Sequence, residues 1–141
     1  MKINKKSKIF IAGHNGMVGS AIKRKFETRG FKKIITISKK KLNLLDQIKV
    51  FRFLKKNKPD LVIVAAARVG GIIANRSFKS QFIFENLQIQ NNIIHGSFLA
   101  GVKNLFLLGS SCIYPKKCKQ PMKEKYLLTG PLEETNDAYA I

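Results

Sequence analysis

Three glycines at intervals of three residues, Gly13, Gly16 and Gly19, follow the apolar run at residues 9–12. A strand that turns sharply into a helix needs glycine wherever a side chain would obstruct the turn, a bound pyrophosphate, or the packing of helix on strand. The first turn of such a helix offers unpaired backbone N–H groups and the positive end of the helix dipole. The spacing therefore predicts a strand, a tight turn and a helix that together cradle a dinucleotide phosphate.

The residues after the glycines support a helix. Val18, Ile22 and Phe26 recur at helical spacing until Gly30 ends the pattern, so that the spacing predicts a helix over residues 17–29. The spacing of the glycines differs from the commoner GxGxxG, and an ordinary glycine turn remains an alternative. The position of the motif, after an apolar strand and before an amphipathic helix, favours the phosphate cradle.

Strands and helices alternate along the rest of the chain. The apolar run at residues 61–67 lacks polar alternation, which is typical of a strand covered on both faces, and residues 104–109 are predicted to be fully buried in the same way. This order predicts an α/β fold, a Rossmann-type doubly wound parallel sheet with right-handed crossovers. Further strands are predicted at residues 33–38, helices at 47–57 and 80–100, and a glycine-containing loop at 68–75.

The length of 141 residues suits about one domain, and we expect it to span residues 9–141 after a basic extension at residues 1–8. The net charge of +19 comes mainly from lysines in short scattered runs, without aromatic residues between them for base stacking. We therefore expect no specific nucleic-acid partner, only weak, salt-dependent adsorption to polyanions.

Neither a membrane anchor nor a signal peptide is indicated, because no stretch approaches the ~18 uninterrupted apolar residues of a membrane span. The two cysteines, Cys112 and Cys118, have no second pair to complete a zinc site or a disulfide framework. The sequence thus predicts no metal site, and a reducing cytoplasm is the simplest location.

Polar residues with possible chemistry follow the last predicted strand. Ligands of parallel sheets bind beyond the carboxyl ends of the strands, which is where Ser110, Ser111 and Cys112 fall, and Tyr139 comes later in the chain. Alone, neither feature is specific: a serine pair after a strand more often caps a turn, and a tyrosine more often packs.

The end of the second predicted strand bears on the choice of nicotinamide cofactor. An acidic residue there would bind the ribose hydroxyls of NAD, whereas a basic one would accept the 2′-phosphate of NADP. The chain has Ser38 followed by three lysines and no acid. NADP(H) is therefore the expected cofactor, although the lysine-rich composition weakens the signal.

Five segments together resemble the GDP-L-fucose synthases, a family of extended short-chain dehydrogenases/reductases. The resemblance runs from about residue 9 to the final residue and implies conversion of GDP-4-keto-6-deoxy-D-mannose to GDP-L-fucose. The family epimerises the sugar at C3 and C5 before NADPH reduces the C4 ketone. The matching segments are Gly-His-Asn-Gly-Met-Val-Gly-Ser, Leu-Asn-Leu-Leu-Asp, Ala-Ala-Ala-Arg-Val-Gly-Gly-Ile, Gly-Ser-Ser-Cys-Ile-Tyr-Pro-Lys and Tyr-Ala-Ile.

The resemblance assigns roles to individual residues. Ser110 would hydrogen-bond the C4 carbonyl oxygen and Tyr139 would donate the proton that quenches the oxyanion. Cys112 would be an acid/base group in epimerisation, unless it is a small core residue behind the serines. Lys39 would meet the 2′-phosphate, as a point charge in place of the arginine common in the family. The remaining cofactor-binding residues would be Gly13, Asn15, Gly16, Met17, Val18 and Gly19 in the loop, Asn43 and Leu44 beside the adenine, and Ala65, Ala66 and Ala67 at the end of the strand.

In the family a lysine follows the catalytic tyrosine by four residues, which corresponds to position 143, beyond Ile141. We therefore expect this chain to be an N-terminal part, truncated before the remaining strands and the substrate domain and inactive alone. Without the remaining strands, the strand at residues 104–109 would be an exposed apolar edge. The complete enzyme is expected to be a homodimer, as its relatives typically are, through helices including that at residues 80–100. The alternatives are another sugar-nucleotide epimerase or dehydratase of the same family, or a catalytically inactive nucleotide-binding module.

Overall fold

A computed structural model describes residues 3–141, and its centre is a four-stranded parallel sheet. The strands are β1 (Ile9–Ala12), β2 (Ile34–Ile35), β3 (Leu61–Val64) and β4 (Asn104–Leu107), in the spatial order β2-β1-β3-β4. Because β1 lies between β2 and β3, the strand order reverses beside β1, and such a reversal opens the ligand crevice of doubly wound sheets. The predicted α/β, doubly wound class is confirmed.

Within residues 3–141, five α-helices connect and follow the strands. Helix α2 occupies the predicted residues, because the Asp46 carboxylate accepts the Lys49 amide at 3.0 Å at its start and Lys58 takes a left-handed conformation at its end. The helices are α1 (Met17–Thr28), α2 (Gln47–Asn57), α3 (Ile72–Ser77), α4 (Lys79–Leu99) and α5 (Asp137–Ala140), with 3-10 turns at Ser111–Ile113 and Glu124–Tyr126.

The chain forms two compact units. The first unit runs through Ala67 and resumes at Leu87–Leu108, so that it contains the whole sheet. The second unit comprises Arg68–Asn86 and Gly109–Ile141. Within the predicted N-terminal extension, Ser7 is buried and the Lys8 amide donates to the Asp60 carboxylate at 2.7 Å, whereas residues 1 and 2 lie outside the described residues.

The core of the first unit lies on both faces of β1. Phe10 belongs to one buried cluster, with Leu54 and Val62, whereas its neighbours Ile9 and Ile11 belong to another. Successive side chains of a strand point to opposite faces, so burial of both sets means that the strand is covered on each side. The run at residues 61–67 forms a strand only over Leu61–Val64, three of whose four residues are buried, and β1 is buried throughout.

The prediction that residues 104–109 form a fully buried strand is wrong, whereas the expectation of an exposed apolar edge at this strand is confirmed. Leu105, Phe106 and Leu107 expose 36%, 57% and 41% of their surface. Strand β4 pairs only with β3 among the described residues, so it forms an edge of the sheet, and little of the described chain covers its faces. An apolar run indicates a strand that can be buried, but its actual burial depends on what packs against it.

Other predicted boundaries also change. Residues 68–75 were predicted as a loop, but α3 begins at Ile72, after Gly71 as N-cap. The Asn75 side chain donates to the Gly70 carbonyl at 3.2 Å and so stabilises this start, which the glycine pair obscures in the sequence. The second strand shrinks from residues 33–38 to Ile34–Ile35. No helix within residues 3–141 is both long and apolar enough to cross a bilayer.

Candidate functional site

The turn after β1 is tightly packed against the end of β3. Gly13 has φ +84°, and a Cβ atom on it would lie 2.5 Å from the Ala65 carbonyl oxygen. A Cβ atom on Gly19 would lie 2.1 Å from the Gly13 carbonyl oxygen, because α1 packs directly on the turn. Both glycines are therefore required by contacts with the backbone, and the predicted strand, turn and helix are confirmed.

Gly16, the middle glycine, is less closely packed than Gly13 and Gly19. A Cβ atom on Gly16 would meet only the Gly13 carbonyl oxygen, at an ordinary 3.4 Å. Gly16 is the N-cap of α1 and has no side chain with which to satisfy the first amides of the helix. Packing of the protein therefore does not require glycine here, and the space beside it stays open for a ligand.

The first turn of α1 presents unpaired backbone donors. Among the described residues, the amides of Met17, Val18 and Gly19 meet no hydrogen-bond acceptor. Met17 and Val18 are 86% and 47% exposed, and Asn15, which precedes the helix, is exposed as well. Free N–H groups at the positive end of a helix dipole form an anion site. The open cradle and these donors fit the pyrophosphate of a dinucleotide.

A basic turn follows β2, the strand next to β1. The Ser38 carbonyl accepts the amides of Lys41 and Leu42, both at 3.0 Å, which leaves Lys39 exposed at the tip. Within residues 3–141 no carboxylate forms an ion pair with Lys39. Since β1 and β2 are parallel neighbours, this turn and the glycine turn follow the same edge of the sheet.

The segment predicted to border the adenine is held by a buried amide that sequence reasoning missed. Asn92 on α4 is fully buried; its Nδ2 donates to the Leu44 carbonyl at 2.8 Å, and its Oδ1 accepts from Gln88 at 2.8 Å. Asn43 is exposed, and its side chain accepts the Leu45 amide at 3.1 Å. A polar residue among the apolar positions of α4 was the available signal.

The three alanines after β3 form a surface without large side chains. The Ala65 amide donates to the Ala12 carbonyl at 2.9 Å, which extends the pairing of the two strands by one residue. Ala65 and Ala66 are half-buried and Ala67 is exposed. Their small side chains leave the strand end accessible, and the close approach of Gly13 depends on the backbone here.

The second unit brings together the residues predicted to act on a ketone. The Ser110 Oγ accepts the Cys112 amide at 3.1 Å, so that Ser110 caps the 3-10 turn Ser111–Ile113. Helix α5, which carries Tyr139, packs against this turn. Among the described residues the Ser110 hydroxyl donates no hydrogen bond, so its proton is free to donate to a ligand. Cys112 is a half-buried free thiol.

Phe82 of α4 packs against Tyr139 and also contacts Arg68. The Tyr139 ring meets the Phe82 ring edge-on, with centroids 6.5 Å apart, and Phe82 is buried. The guanidinium of Arg68 lies over the Phe82 ring, 5.1 Å from its centroid, and forms an ion pair with Glu85. Sequence reasoning missed this arrangement because no local pattern marks it. No group of three metal-ligating side chains occurs in the part of the chain that the structure describes.

Two lysines bind the acidic segment that precedes Tyr139. Lys79 Nζ lies 2.7 Å from the Asp137 carboxylate, and Lys116 Nζ lies 3.0 Å from that of Glu133. The hydrogen bond from Lys79 lowers the pKa of Asp137, and that from Lys116 lowers the pKa of Glu133. Both carboxylates are thus more acidic in the folded chain than in the unfolded chain.

We predict that this segment loosens in acid. A carboxylate with a lowered folded-state pKa stabilises the fold above its unfolded pKa, and this contribution is lost as the pH falls through the folded pKa. The α5 amide signals should therefore lose dispersion from about pH 5 downward, since unfolded carboxylates titrate near 4. Two-dimensional NMR across this range tests the prediction, and Lys79→Met should remove the part that depends on Asp137. Signals that stay unchanged to about pH 2.5 would contradict it.

Several known proteins are similar to this chain in sequence. The model of the NAD dependent epimerase/dehydratase family matches residues 9–141. The GDP-L-fucose synthase of Escherichia coli K12 is 51% identical over 136 residues, which cover 96% of this chain and 42% of the relative. GDP-L-fucose synthase 1 of Arabidopsis thaliana is 51% identical over 138 residues, 98% of this chain and 43% of that protein.

A solved structure has the same fold over almost the entire chain. The GDP-mannoheptose C4 reductase of Campylobacter jejuni, determined with NADP bound, superimposes with a TM-score of 0.94 at 40% identity. The match covers 99% of this chain and 44% of the reductase. The chain thus spans less than half the length of each of these three proteins.

Proposed function

The chain belongs to the NAD dependent epimerase/dehydratase family, and on this premise we propose that it forms the NADP(H)-binding part of a GDP-L-fucose synthase. The observation that carries the proposal is the open cradle at Gly16, with the three unpaired amides that follow it. Identities of 51% to two GDP-L-fucose synthases support the choice of reaction within the family.

The cofactor would lie along the edge of the sheet in the first unit. The amides of Met17, Val18 and Gly19 would hold the pyrophosphate, and Lys39 would pair with the 2′-phosphate. Asn15 would line the loop, Asn43 and Leu44 would border the adenine, and Ala65, Ala66 and Ala67 would let the dinucleotide approach the strand end. NADPH, when bound, supplies a hydride.

The second unit would provide the polar groups for the ketone of the substrate, GDP-4-keto-6-deoxy-D-mannose. Ser110 would donate a hydrogen bond to the C4 oxygen, and Tyr139 would deliver the proton that neutralises this oxygen during reduction. Stabilising negative charge on the same oxygen also makes the neighbouring C–H groups acidic. Epimerisation at C3 and C5 also needs acid/base groups that remove a proton from one face of the carbon and return one to the opposite face, and Cys112 is the candidate for one of these groups.

Assembly and location complete the proposal. The complete enzyme is a homodimer that uses α4, on which Ile94 and Phe98 are 42% and 75% exposed. It binds no specific nucleic acid. It works in the cytoplasm, whose reducing conditions suit the free thiols of Cys112 and Cys118.

Titration of the chain with NADPH and NADH tests the cofactor assignment. We expect saturable binding of NADPH and weaker binding of NADH, because NADH lacks the 2′-phosphate with which Lys39 would pair. Equal affinity for the two cofactors would contradict the role of the basic turn. No binding of either would contradict the cradle itself.

Substitution of Lys39 sharpens this test. A hydrogen bond to a charged group contributes about 1.5 kcal/mol at the lower end of its range, which corresponds to roughly tenfold in affinity. Lys39→Ala should therefore weaken NADPH binding about tenfold and leave NADH binding unchanged. Lys56→Ala, at an exposed position of α2, is the matched control for the loss of one positive charge. An equal effect of both substitutions would indicate general attraction by the charge of +19.

A C4 reductase for another GDP-linked keto sugar is the second candidate. The TM-score of 0.94 to the Campylobacter reductase favours it, since that protein is named for reduction alone. The synthase reaction breaks and re-forms C–H bonds at C3 and C5, whereas simple reduction leaves these bonds intact. In heavy water the complete synthase should place deuterium at C3 and C5 of the product, whereas a simple reductase should not. Stoichiometric consumption of NADPH would further exclude an epimerase or dehydratase that regenerates its cofactor.

A further inference from the structure

Tyr139 lies in α5, and the start of this helix is joined to other elements of the second unit. The direction of the Tyr139 side chain depends on such contacts from elsewhere in the unit. These contacts determine where its phenol can deliver a proton.

Residues of α3 and α4 make three such contacts. Asn75 Nδ2 donates to Asn136 Oδ1 at 2.9 Å, at the N-cap of α5. Lys79 binds the carboxylate of Asp137, the first residue of the helix, and also the Glu134 carbonyl at 2.9 Å. Phe82 meets the ring of Tyr139 itself. The two partners are separated by about sixty residues in each case, so the contacts are tertiary.

Asn75 is the most constrained of the three. It is 8% exposed, and its amide group donates to both the Gly70 carbonyl and Asn136. Its Oδ1 is buried and meets no donor among residues 3–141. A buried acceptor without a partner is unfavourable, so this amide is a poor choice for packing alone. What the side chain provides is a pair of directed donors that join the start of α3 to the start of α5.

We propose that Asn75 is a positioning residue for Tyr139, which fixes the start of α5 through Asn136 while Lys79 and Phe82 hold the rest of the helix. The inference rests on the proposed function only in taking Tyr139 as the proton donor. Asn75 acts through Asn136 and does not itself touch the substrate.

Fluorine NMR of the 141-residue chain tests the proposal. The substitutions Tyr114→Phe and Tyr126→Phe leave Tyr139 as the one site for 3-fluorotyrosine. In this background Asn136→Ala removes the acceptor of the Asn75 bond, whereas Asn136→Asp retains an acceptor oxygen at the same place. Asn136 is only half-buried, so both variants should fold. Asn91→Ala, at an exposed position of α4, is the control.

The Tyr139 fluorine resonance of the background chain should differ from that of free fluorotyrosine because the ring packs against Phe82. Asn136→Ala and Asn75→Ala should each move it at least halfway to the free position, and the double variant should move it no further. Asn136→Asp and Asn91→Ala should leave it in place. A resonance unmoved by Asn136→Ala, or moved equally by Asn136→Asp, would overturn the proposal.

NADPH binding to the same samples separates this inference from the proposed function. Affinity for NADPH in every variant should equal that of the background chain, because the cradle belongs to the first unit. If NADPH binds and the fluorine resonance does not respond to Asn136→Ala, positioning by Asn75 fails while the proposed function stands. If the resonance responds as expected and NADPH does not bind, the contact holds and the function fails.

Discussion

Gly19→Ala is expected to abolish NADPH binding and to lower the free energy of unfolding by about 3 kcal/mol, the upper end of the usual cost of overpacking. The added Cβ atom would lie 2.1 Å from the Gly13 carbonyl oxygen and 2.7 Å from its carbonyl carbon. Both are backbone atoms of the turn, so they cannot move aside as a side chain could. Either α1 shifts away from β1 or the turn changes shape, and each displaces the amides of the first helical turn. Thermal unfolding and NADPH titration measure the two effects.

Gly16→Ala is the matched variant. Its Cβ atom would meet only the Gly13 carbonyl oxygen at 3.4 Å, so the free energy of unfolding should stay within about 0.5 kcal/mol of the parent value, as for most substitutions without a steric or polar cost. The methyl group would nevertheless occupy the space in which the pyrophosphate approaches the backbone. We expect NADPH binding to weaken at least tenfold. Gly16→Ala with parental affinity would mean that the cofactor does not use this cradle.

Phe10→Ala is expected to destabilise the chain by about 3–5 kcal/mol, the range for deleting a buried aromatic ring. Phe10 is fully buried in the centre of the sheet, and its ring packs against that of Phe53 with centroids 4.9 Å apart. Nothing in the structure indicates that the surrounding strands and helices could close over the cavity. Denaturant unfolding followed by circular dichroism measures the loss.

Phe106→Ala is the control for this prediction, because Phe106 also lies in a strand with an apolar sequence but is 57% exposed. Its truncation should cost less than about 1 kcal/mol, since little buried surface is lost. Equal costs for the two substitutions would mean that β4 is covered in solution as thoroughly as β1. The contrast therefore tests the description of β4 as an edge strand.

The same two strands mark how far the sequence predicts the fold. The glycine turn, α1 and α2 were predictable because their signals, glycine spacing and helical periodicity, are local. The apolar runs of β1 and β4 look alike in the sequence. Their difference in burial depends on neighbouring strands and helices, which no local pattern records. The start of α3 was missed because a glycine pair indicates a loop more strongly than it indicates a helix cap.

Some residues of the candidate site were predictable from local sequence patterns and others were not. The cradle for a phosphate follows from the glycines themselves, and the structure adds the reason for each one. The roles of Ser110, Cys112 and Tyr139 followed only from the family resemblance, because neither a serine pair nor a tyrosine is specific. Asn92 and Asn75 were not found at all. Their partners lie 48 and 61 residues away in the chain, and single-sequence patterns carry no information on such pairs.

The most direct test of the central claim is an amide NMR titration of the isotopically labelled chain with NADPH. The claim is that the first turn of α1 binds the pyrophosphate through free backbone N–H groups. It predicts that the amide signals of Met17, Val18 and Gly19 shift most and saturate together, while those of the lysine-rich surface far from the turn, such as Lys55 and Lys56, remain in place. Shifts spread over the lysines with these three amides unchanged would contradict the claim.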